Sequence, residues 1–246
     1  MELENLIDTS FDEELLKLGV LKWLPWVGKN YSNNKRRLLI VGESHNIDIE
    51  NEEEYDKEKK QAEGNENHTR EVVNKLAIIR KEKKGRRYFD NTYRVLLNDN
   101  NFKALFWDQV CFYNFIQKPM DYRDKKNPQR PTNTEFYNSW NPFIDLIKIL
   151  NPTDCIFTGV QASGSFTQAM NALSIKYSDL HWFDKIGRVP PRTASLNINE
   201  NKIILSFIQH PSKYFSWEKW NSFLKNNNKV VMEALRNIVF PNETVV

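Results

Sequence analysis

Four short apolar runs, separated by segments with helical patterning, constrain the fold of this 246-residue chain more than any other feature. They predict strands near 37–42, 108–115, 154–159 and 202–208. None of the runs alternates strictly between apolar and polar residues, which is typical of strands that are covered on both faces. Because the strands alternate with helices, the sequence predicts an α/β fold, a three-layer α/β/α arrangement with a central, mainly parallel four-stranded sheet.

Polar residues with chemical potential follow each of these predicted strands. "GESHN" begins at Gly42, Asn114 lies at the end of the second strand, a glycine-bearing turn occupies 159–162, and "HPS" begins at His210. In parallel sheets, ligands bind beyond the carboxyl ends of the strands. We therefore expect these four segments to surround one cleft.

The length and composition fit a single domain over 1–246 that carries a very polar insertion around 47–85. We expect an exposed loop or a loosely held helix over 47–70. A further amphipathic helix is predicted over "WNPFIDLIKILNP", with Pro142 near its start.

The formal net charge of +3 permits a nucleic acid as a partner without requiring one. The N-terminal segment is acidic and amphipathic, unlike a signal peptide, and no apolar run approaches the roughly 18 residues of a membrane span. We therefore expect a cytoplasmic, monomeric protein that does not enter a membrane.

The two cysteines, Cys111 and Cys155, lie inside apolar runs, which predicts reduced core thiols. Two thiols cannot form a four-thiolate zinc site or hold a four-cysteine iron–sulfur cluster. Glu43, His45 and His210 could in principle bind a metal, but no two of them share a helix at metal-binding spacing. We expect neither a metal nor a cofactor.

Five motifs, in this order along the chain, resemble those of the uracil-DNA glycosylase superfamily. "LLIVGESHN" is similar to its first motif, "CFYNFIQKP" to the strand that carries a base-reading asparagine, and "FIQHPS" to its second catalytic motif. "NPQRPTNTEF" and "NPFIDLIKILNPTDCIFTGVQASGSF" resemble segments of the thermostable branch. The resemblance covers about 36–216. It implies hydrolysis of the N-glycosidic bond of uracil or of a modified pyrimidine flipped out of DNA, in DNA repair or in defence against phage with modified bases.

Two residues carry the chemistry that this resemblance implies. A histidine at the rigid end of a strand can donate a hydrogen bond to the base as it leaves with negative charge, a role that falls to His210. Glu43, directly after the glycine of the first motif, can position water or stabilise a cationic sugar. The structural alternatives are a turn-capping or core histidine for His210 and a helix-capping loop carboxylate for Glu43.

Base recognition is expected from Gly42, Asn114 and Phe89. Asn114 has both a donor and an acceptor for a pyrimidine edge, and the superfamily places a stacking aromatic in the interval that contains Phe89. Tyr88 and Tyr93 compete for the stacking role, and core packing is the alternative for all three rings.

The first motif departs from the superfamily pattern. Members with an acid or amide two residues after the glycine would need it at Ser44, and members with Glu after the glycine usually continue differently from Ser44, His45 and Asn46. We count Ser44 and His45 among the candidate catalytic residues. The four cysteines of the thermostable branch are absent, and the polar insertion over 47–85 is longer than the family pattern. Both of these further departures point to a divergent branch.

DNA contact is expected from a basic loop over 118–130 and from the segment after "HPS", where relatives insert a wedge into the duplex. The candidate residues are Lys125, Lys126, Arg130, Ser163, Ser212, Lys213 and Tyr214. Two other functions stay open. One is a catalytically silent nucleic-acid-binding protein of the same fold, and the other is an unrelated α/β hydrolase or transferase.

Overall fold

The computed structural model describes residues 3–212 and 214–241, and its strands form one large sheet and one small one. The strands are β1 (Trp26–Val27), β2 (Leu38–Gly42), β3 (His45–Ile47), β4 (Cys111–Asn114), β5 (Pro119–Asp121), β6 (Asp154–Thr158), β7 (Lys176–Tyr177), β8 (His181–Trp182), β9 (Arg192–Ile198) and β10 (Asn201–Ile208). The helices are α1 (Asp12–Lys17), α2 (Glu52–Gly64), α3 (His68–Val73), α4 (Arg86–Leu97), α5 (Asn133–Leu150), α6 (Phe166–Ala172), α7 (Trp217–Asn227) and α8 (Lys229–Val239).

The centre of the large sheet confirms the predicted parallel strands. β4, β2, β6 and β10 lie side by side in that order and run parallel to one another. The α/β class and the four expected strand positions are therefore correct. Since parallel strands end at one edge, the segments after β2 and β10 lie on the same side of the sheet.

The expected count of four strands is wrong, because eight strands of the described residues form the large sheet. β1 pairs antiparallel with β4 at one edge, and β9 pairs antiparallel with β10 at the other, where β7 and β8 join it. These additions satisfy backbone groups that the two outer parallel strands would otherwise leave unpaired.

Two hydrophobic clusters divide the side chains of the sheet between its two faces. Leu39 and Val41 of β2 belong to a cluster that includes residues of α1, α5 and α6. Leu38 and Ile40 belong to a second cluster that includes residues of α3, α4, α7 and α8. Helices thus cover both faces, and this explains why the central strands are apolar throughout. Cys111 and Cys155 are free and buried, as predicted.

Pro142 does not begin its helix, as the sequence had suggested. α5 starts at Asn133, nine residues earlier, because Thr132 and Glu135 form a reciprocal capping box. The Glu135 amide donates to Thr132 Oγ1 at 3.2 Å, and the Thr132 amide donates to Glu135 Oε2 at 2.8 Å. Pro142 lies inside the helix, where it removes one backbone hydrogen bond.

The polar insertion is anchored rather than loose. α2, α3 and a π-helical turn over Asn74–Ile79 fill most of it. Arg70 is buried, forms an ion pair with Asp12 at 2.5 Å, and donates from Nε to the Pro25 carbonyl oxygen at 2.9 Å. Trp23 Nε1 donates to the Ala62 carbonyl oxygen at 2.7 Å. None of the described helices is long and apolar enough to cross a membrane.

Asn228, at the junction of α7 and α8, ties these helices to the sheet. Its Nδ2 donates to Asp154 Oδ1 at 2.9 Å, and its Oδ1 accepts from the Ser206 hydroxyl at 2.7 Å. Replacing Asn228 with Ala leaves two buried polar groups without partners. We expect Asn228→Ala to lower the free energy of unfolding by about 1–3 kcal/mol, measured by urea titration. The exposed Asn226→Ala is the matched control, and equal stability of the two variants would contradict this account.

Candidate active site

A cavity of about 350 Å³ opens where β2, β4 and β10 end, and we call it the strand-end pocket. Six of the seven residues predicted for catalysis or base recognition line it: Glu43, Ser44, His45, Phe89, Asn114 and His210. The seventh, Gly42, lies directly beneath Asn114. The 159–162 turn, expected at the same cleft, instead lines a neighbouring cavity of about 10 Å³ with Gly42 and Glu43.

Gly42 is needed so that Asn114 can reach into the strand-end pocket. The two residues are partners in the parallel ladder between β2 and β4. A Cβ on Gly42 would lie 2.2 Å from Asn114 Oδ1 and 3.0 Å from the Phe112 ring. Asn114 is only 3% exposed and lines the pocket, and its carboxamide makes no hydrogen bond with any residue that the structure describes. The amide is therefore available to a ligand in the pocket.

His210 is held at the pocket by the backbone of its own turn. The Ser212 amide donates to the His210 carbonyl oxygen at 2.8 Å, and Asn91 Nδ2 of α4 donates to the Pro211 carbonyl oxygen at 3.2 Å. Burial, with a smaller contribution from the nearby Arg130, lowers the pKa of His210 to about 4. The imidazole is therefore neutral at pH 7 and retains one N–H donor.

Tyr88 packs against the His210 ring, a contact that the sequence did not reveal. The two ring centroids lie 5.2 Å apart. The Thr158 hydroxyl donates to the Val41 carbonyl oxygen at 2.9 Å, so Tyr88 must be the donor in its 2.6 Å bond to Thr158. This chain of bonds ties Tyr88, in the first turn of α4, to Thr158 at the end of β6.

Of the three aromatic residues considered for base stacking, Tyr88 and Phe89 line the strand-end pocket. Phe89 is also buried against Trp107 and Phe112. Tyr93 faces elsewhere, because its hydroxyl donates to the Asn101 carbonyl oxygen at 2.7 Å.

Glu43 lies in the pocket wall with its side chain 15% exposed, and Arg130 Nη1 approaches its Oε1 to 3.6 Å. Burial raises the pKa of Glu43, and the positive charge of Arg130 opposes that rise. Arg130, predicted as a DNA contact, therefore sits beside the candidate catalytic carboxylate and close enough to His210 to affect its pKa.

The His45 side chain forms a hydrogen bond and ring contacts with its neighbours. Its Nε2 is 3.0 Å from the Thr69 hydroxyl oxygen, and its ring packs edge-on against Trp23 and His68. Burial holds the pKa of His45 well below its usual range, and the neighbouring His68 lowers it further. Ser44 lines the pocket half-buried.

The basic loop is partly neutralised by the rest of the chain. Lys125 lies 3.5 Å from Glu50 and 3.7 Å from Asp48, measured from its Nζ to carboxylate oxygens. Lys126 is exposed and forms no ion pair with the described residues. Lys126 thus offers a phosphate a positive charge that no neighbour already neutralises.

The other residues predicted to contact DNA differ in exposure. Tyr214 is 98% exposed, and Ser212 is exposed beside it, whereas Lys213 lies outside the described residues. Ser163 is buried, donates to the Val160 carbonyl oxygen at 2.6 Å and accepts from Arg192. The Ser163 hydroxyl is therefore not presented to a surface ligand.

Trp182 is a surface feature that the sequence reading did not single out. It is 56% exposed, and the Arg192 guanidinium lies 3.9 Å from the centroid of its ring. Trp182 pairs with Arg192, and Arg192 pairs with Phe207 near the end of β10. Trp182 therefore lies at the end of the sheet where the pocket opens.

The insertion supplies much of the pocket lining, which the sequence also did not show. We call the lining residues between Asp48 and Gly85 the insertion wall. Its polar members are Asp48, Glu58, His68, Lys75, Glu82 and Lys84. Over 3–212 and 214–241, no three His, Cys, Asp or Glu side chains are grouped so that they could hold a metal ion.

Comparison with known proteins finds no family model that matches this chain and no curated protein that matches it in sequence. The case for a function therefore rests on the motifs of this chain and on the geometry of the strand-end pocket.

Gly42→Ala tests the contact between Gly42 and Asn114. The new Cβ would overlap Asn114 Oδ1, so we expect the amide to be displaced and the melting temperature to fall by an amount equivalent to about 1–3 kcal/mol. Gly159→Ala is the matched control, since its Cβ would meet only Glu43 Oε2 at an ordinary 3.5 Å. If both variants melt like the wild type, the close approach at Gly42 does not exist.

The buried histidines predict a pH dependence of stability. Burial lowers the pKa of His45. As the pH falls through about 6.5, His45 therefore takes up a proton in the unfolded chain but stays neutral in the folded chain. The free energy of unfolding should therefore fall as the pH drops below about 6.5. In His45→Asn, urea titrations should show this slope reduced by up to about 1.4 kcal/mol per pH unit. His181→Asn, on exposed β8, is the control. An unchanged slope in His45→Asn would show that His45 does not cause the pH dependence of stability.

Proposed function

We propose that this protein is a monofunctional DNA glycosylase that acts, as a monomer, on a pyrimidine flipped out of DNA. The observation that carries the proposal is the meeting of Glu43, Asn114 and His210 in one pocket, where the Asn114 carboxamide makes no hydrogen bond with the described residues. The helices on both faces of a parallel sheet are compatible with the three-layer arrangement of the uracil-DNA glycosylase superfamily, which the motifs resemble.

Asn114 reads the base in this proposal. A carboxamide offers one acceptor and two donors, which match the alternating groups along a pyrimidine edge. Extruding a nucleotide costs a few kcal/mol of stacking and pairing, and contacts inside the pocket must repay it. The close packing of the Asn114 carboxamide against Gly42 fixes the direction of the carboxamide before the base binds.

His210 stabilises the leaving group. As the N-glycosidic bond breaks, its electron pair departs with the base, and negative charge develops on the carbonyl oxygens of the ring. A neutral imidazole that is already aimed at that oxygen donates a hydrogen bond without the cost of reorganising solvent. The low pKa of His210 and its packing against Tyr88 suit this role.

Glu43 acts on the sugar side of the bond. Loss of the base leaves cationic character at C1′, which a carboxylate stabilises, and the same group can orient the attacking water. The water oxygen bonds to C1′, one water proton is released, and the departing base takes up a proton. Arg130 supports the ionised form of Glu43.

DNA contact is proposed for the exposed groups around the pocket mouth. Tyr214 extends into solvent two residues after the His210 turn closes, as a side chain that fills the gap left by an extruded nucleotide must. Lys126 supplies positive charge for phosphates. Repair and defence against phage with modified bases are the two settings that suit such an activity.

Single-turnover excision tests these roles. An oligonucleotide panel with uracil, hypoxanthine, hydroxymethylcytosine and glucosylated cytosine is incubated with protein and then cut with alkali at abasic sites. On the preferred base, we expect His210→Ala and Glu43→Gln to lose about 10²–10³ in rate with little change in DNA affinity. Asn114→Ala should blur the choice between bases, and His181→Ala is the control.

Two results would contradict this assignment. Full activity in both His210→Ala and Glu43→Gln would remove the proposed chemistry from these residues. A wild type that binds DNA but excises no base would favour the catalytically silent binding protein.

A further inference from the structure

The strand-end pocket has two halves that differ in origin. The half at the strand ends holds Glu43, Asn114 and His210, and the other half is the insertion wall. The proposed chemistry uses only the first half. The insertion wall therefore has no role in the proposed chemistry and is free to contact another part of the ligand.

The insertion wall is a built surface of the fold. His45, within the first motif, forms a hydrogen bond with the Thr69 hydroxyl, and Arg70 beside Thr69 is buried in an ion pair with Asp12. β3, whose residues also line the pocket, pairs in parallel with β5, from His45–Pro119 to Ile47–Asp121. These contacts fix the position of the wall relative to Asn114.

The pocket is larger than the volume that an unsubstituted pyrimidine base would fill. At about 350 Å³, it falls in the range of about 300–1,000 Å³ that encloses drug-sized ligands. A single six-membered ring held by Asn114 would leave the insertion wall in contact with water. A base with a large substituent would fill both halves.

The charges of the lining indicate what that substituent is. Four carboxylates, on Glu43, Asp48, Glu58 and Glu82, face two ammonium groups, on Lys75 and Lys84. Both ammonium groups are already paired, at 2.9 Å with Glu82 and at 3.1 Å with Asp48. Such a lining repels an anionic group and excludes a phosphate-bearing substituent.

The carboxylates of the lining offer hydrogen-bond acceptors to the pocket. Asp48 contributes its Oδ2, which lies 3.1 Å from Lys84 Nζ, whereas its Oδ1 is closed off from solvent with Lys125 Nζ 3.7 Å away. Hydroxyl groups are neutral donors, and several of them would also suit the neighbouring carboxylates.

We propose that the strand-end pocket takes a pyrimidine whose C5 carries a large, neutral, hydroxyl-rich substituent such as a sugar. This inference rests on the proposed glycosylase function. C5 follows because a substituent there leaves the pairing edge of the base free, so that the base pairs normally in the duplex and Asn114 can still read it. The insertion wall then selects the substituent through its carboxylates and through the volume that it encloses.

The experiment compares duplexes that are identical except for one base, which is uracil, hydroxymethylcytosine or glucosylated hydroxymethylcytosine. We expect the full-length protein to excise the glucosylated base at least about tenfold faster than the other two in single-turnover assays. Equal or faster excision of uracil would overturn the inference and leave the glycosylase function standing. Excision of none of them, over a panel that includes hypoxanthine, would overturn the proposed function itself.

A variant of the insertion wall locates the selectivity. Val72 lines the wall, and Val72→Phe adds a ring where the substituent would lie. We expect its rate on the glucosylated base to fall about tenfold or more, with a much smaller change on hydroxymethylcytosine. Val230→Phe, on an exposed site of α8, is the matched control, and melting curves verify folding of both variants. Equal losses on both bases would contradict the assignment of the wall.

Discussion

Gly42 and Asn114 face each other in the parallel ladder between β2 and β4, and only a residue without a side chain leaves room for the carboxamide at that point. The direction of the Asn114 amide is therefore set by strand register rather than by a flexible loop. The same register places Glu43 just beyond the ladder, where the Ile116 amide donates to its carbonyl oxygen at 2.8 Å. Side chains held by the ends of a rigid sheet keep the geometry that catalysis demands.

The environment of the pocket assigns different tasks to groups of similar type. His45 and His210 both have lowered pKa values through burial, but His45 is bound by Thr69 and wedged between rings, whereas the His210 ring has no hydrogen bond with the described residues. The first is suited to fixing the insertion wall, and the second to meeting a ligand.

The sequence predicted the four central strands because each is an apolar run that ends in a polar motif. It missed β9, whose "RTASLNI" alternates between polar and apolar residues in the manner of a half-exposed strand, and that pattern could have been recognised. The "TNTE" capping box likewise marks the true start of α5. The insertion wall could not be foreseen, because it depends on long-range pairs such as Arg70 with Asp12 that no local pattern encodes.

The central claim is that a base enters the strand-end pocket and meets Asn114 and His210. A crystal structure of the Glu43→Gln variant, bound to a duplex that carries its preferred base, tests this most directly. The account predicts an extruded nucleotide whose edge lies about 3 Å from the Asn114 carboxamide, with a base oxygen at a similar distance from His210. A duplex bound with every base stacked, or bound away from the ends of β2, β4 and β10, would contradict it.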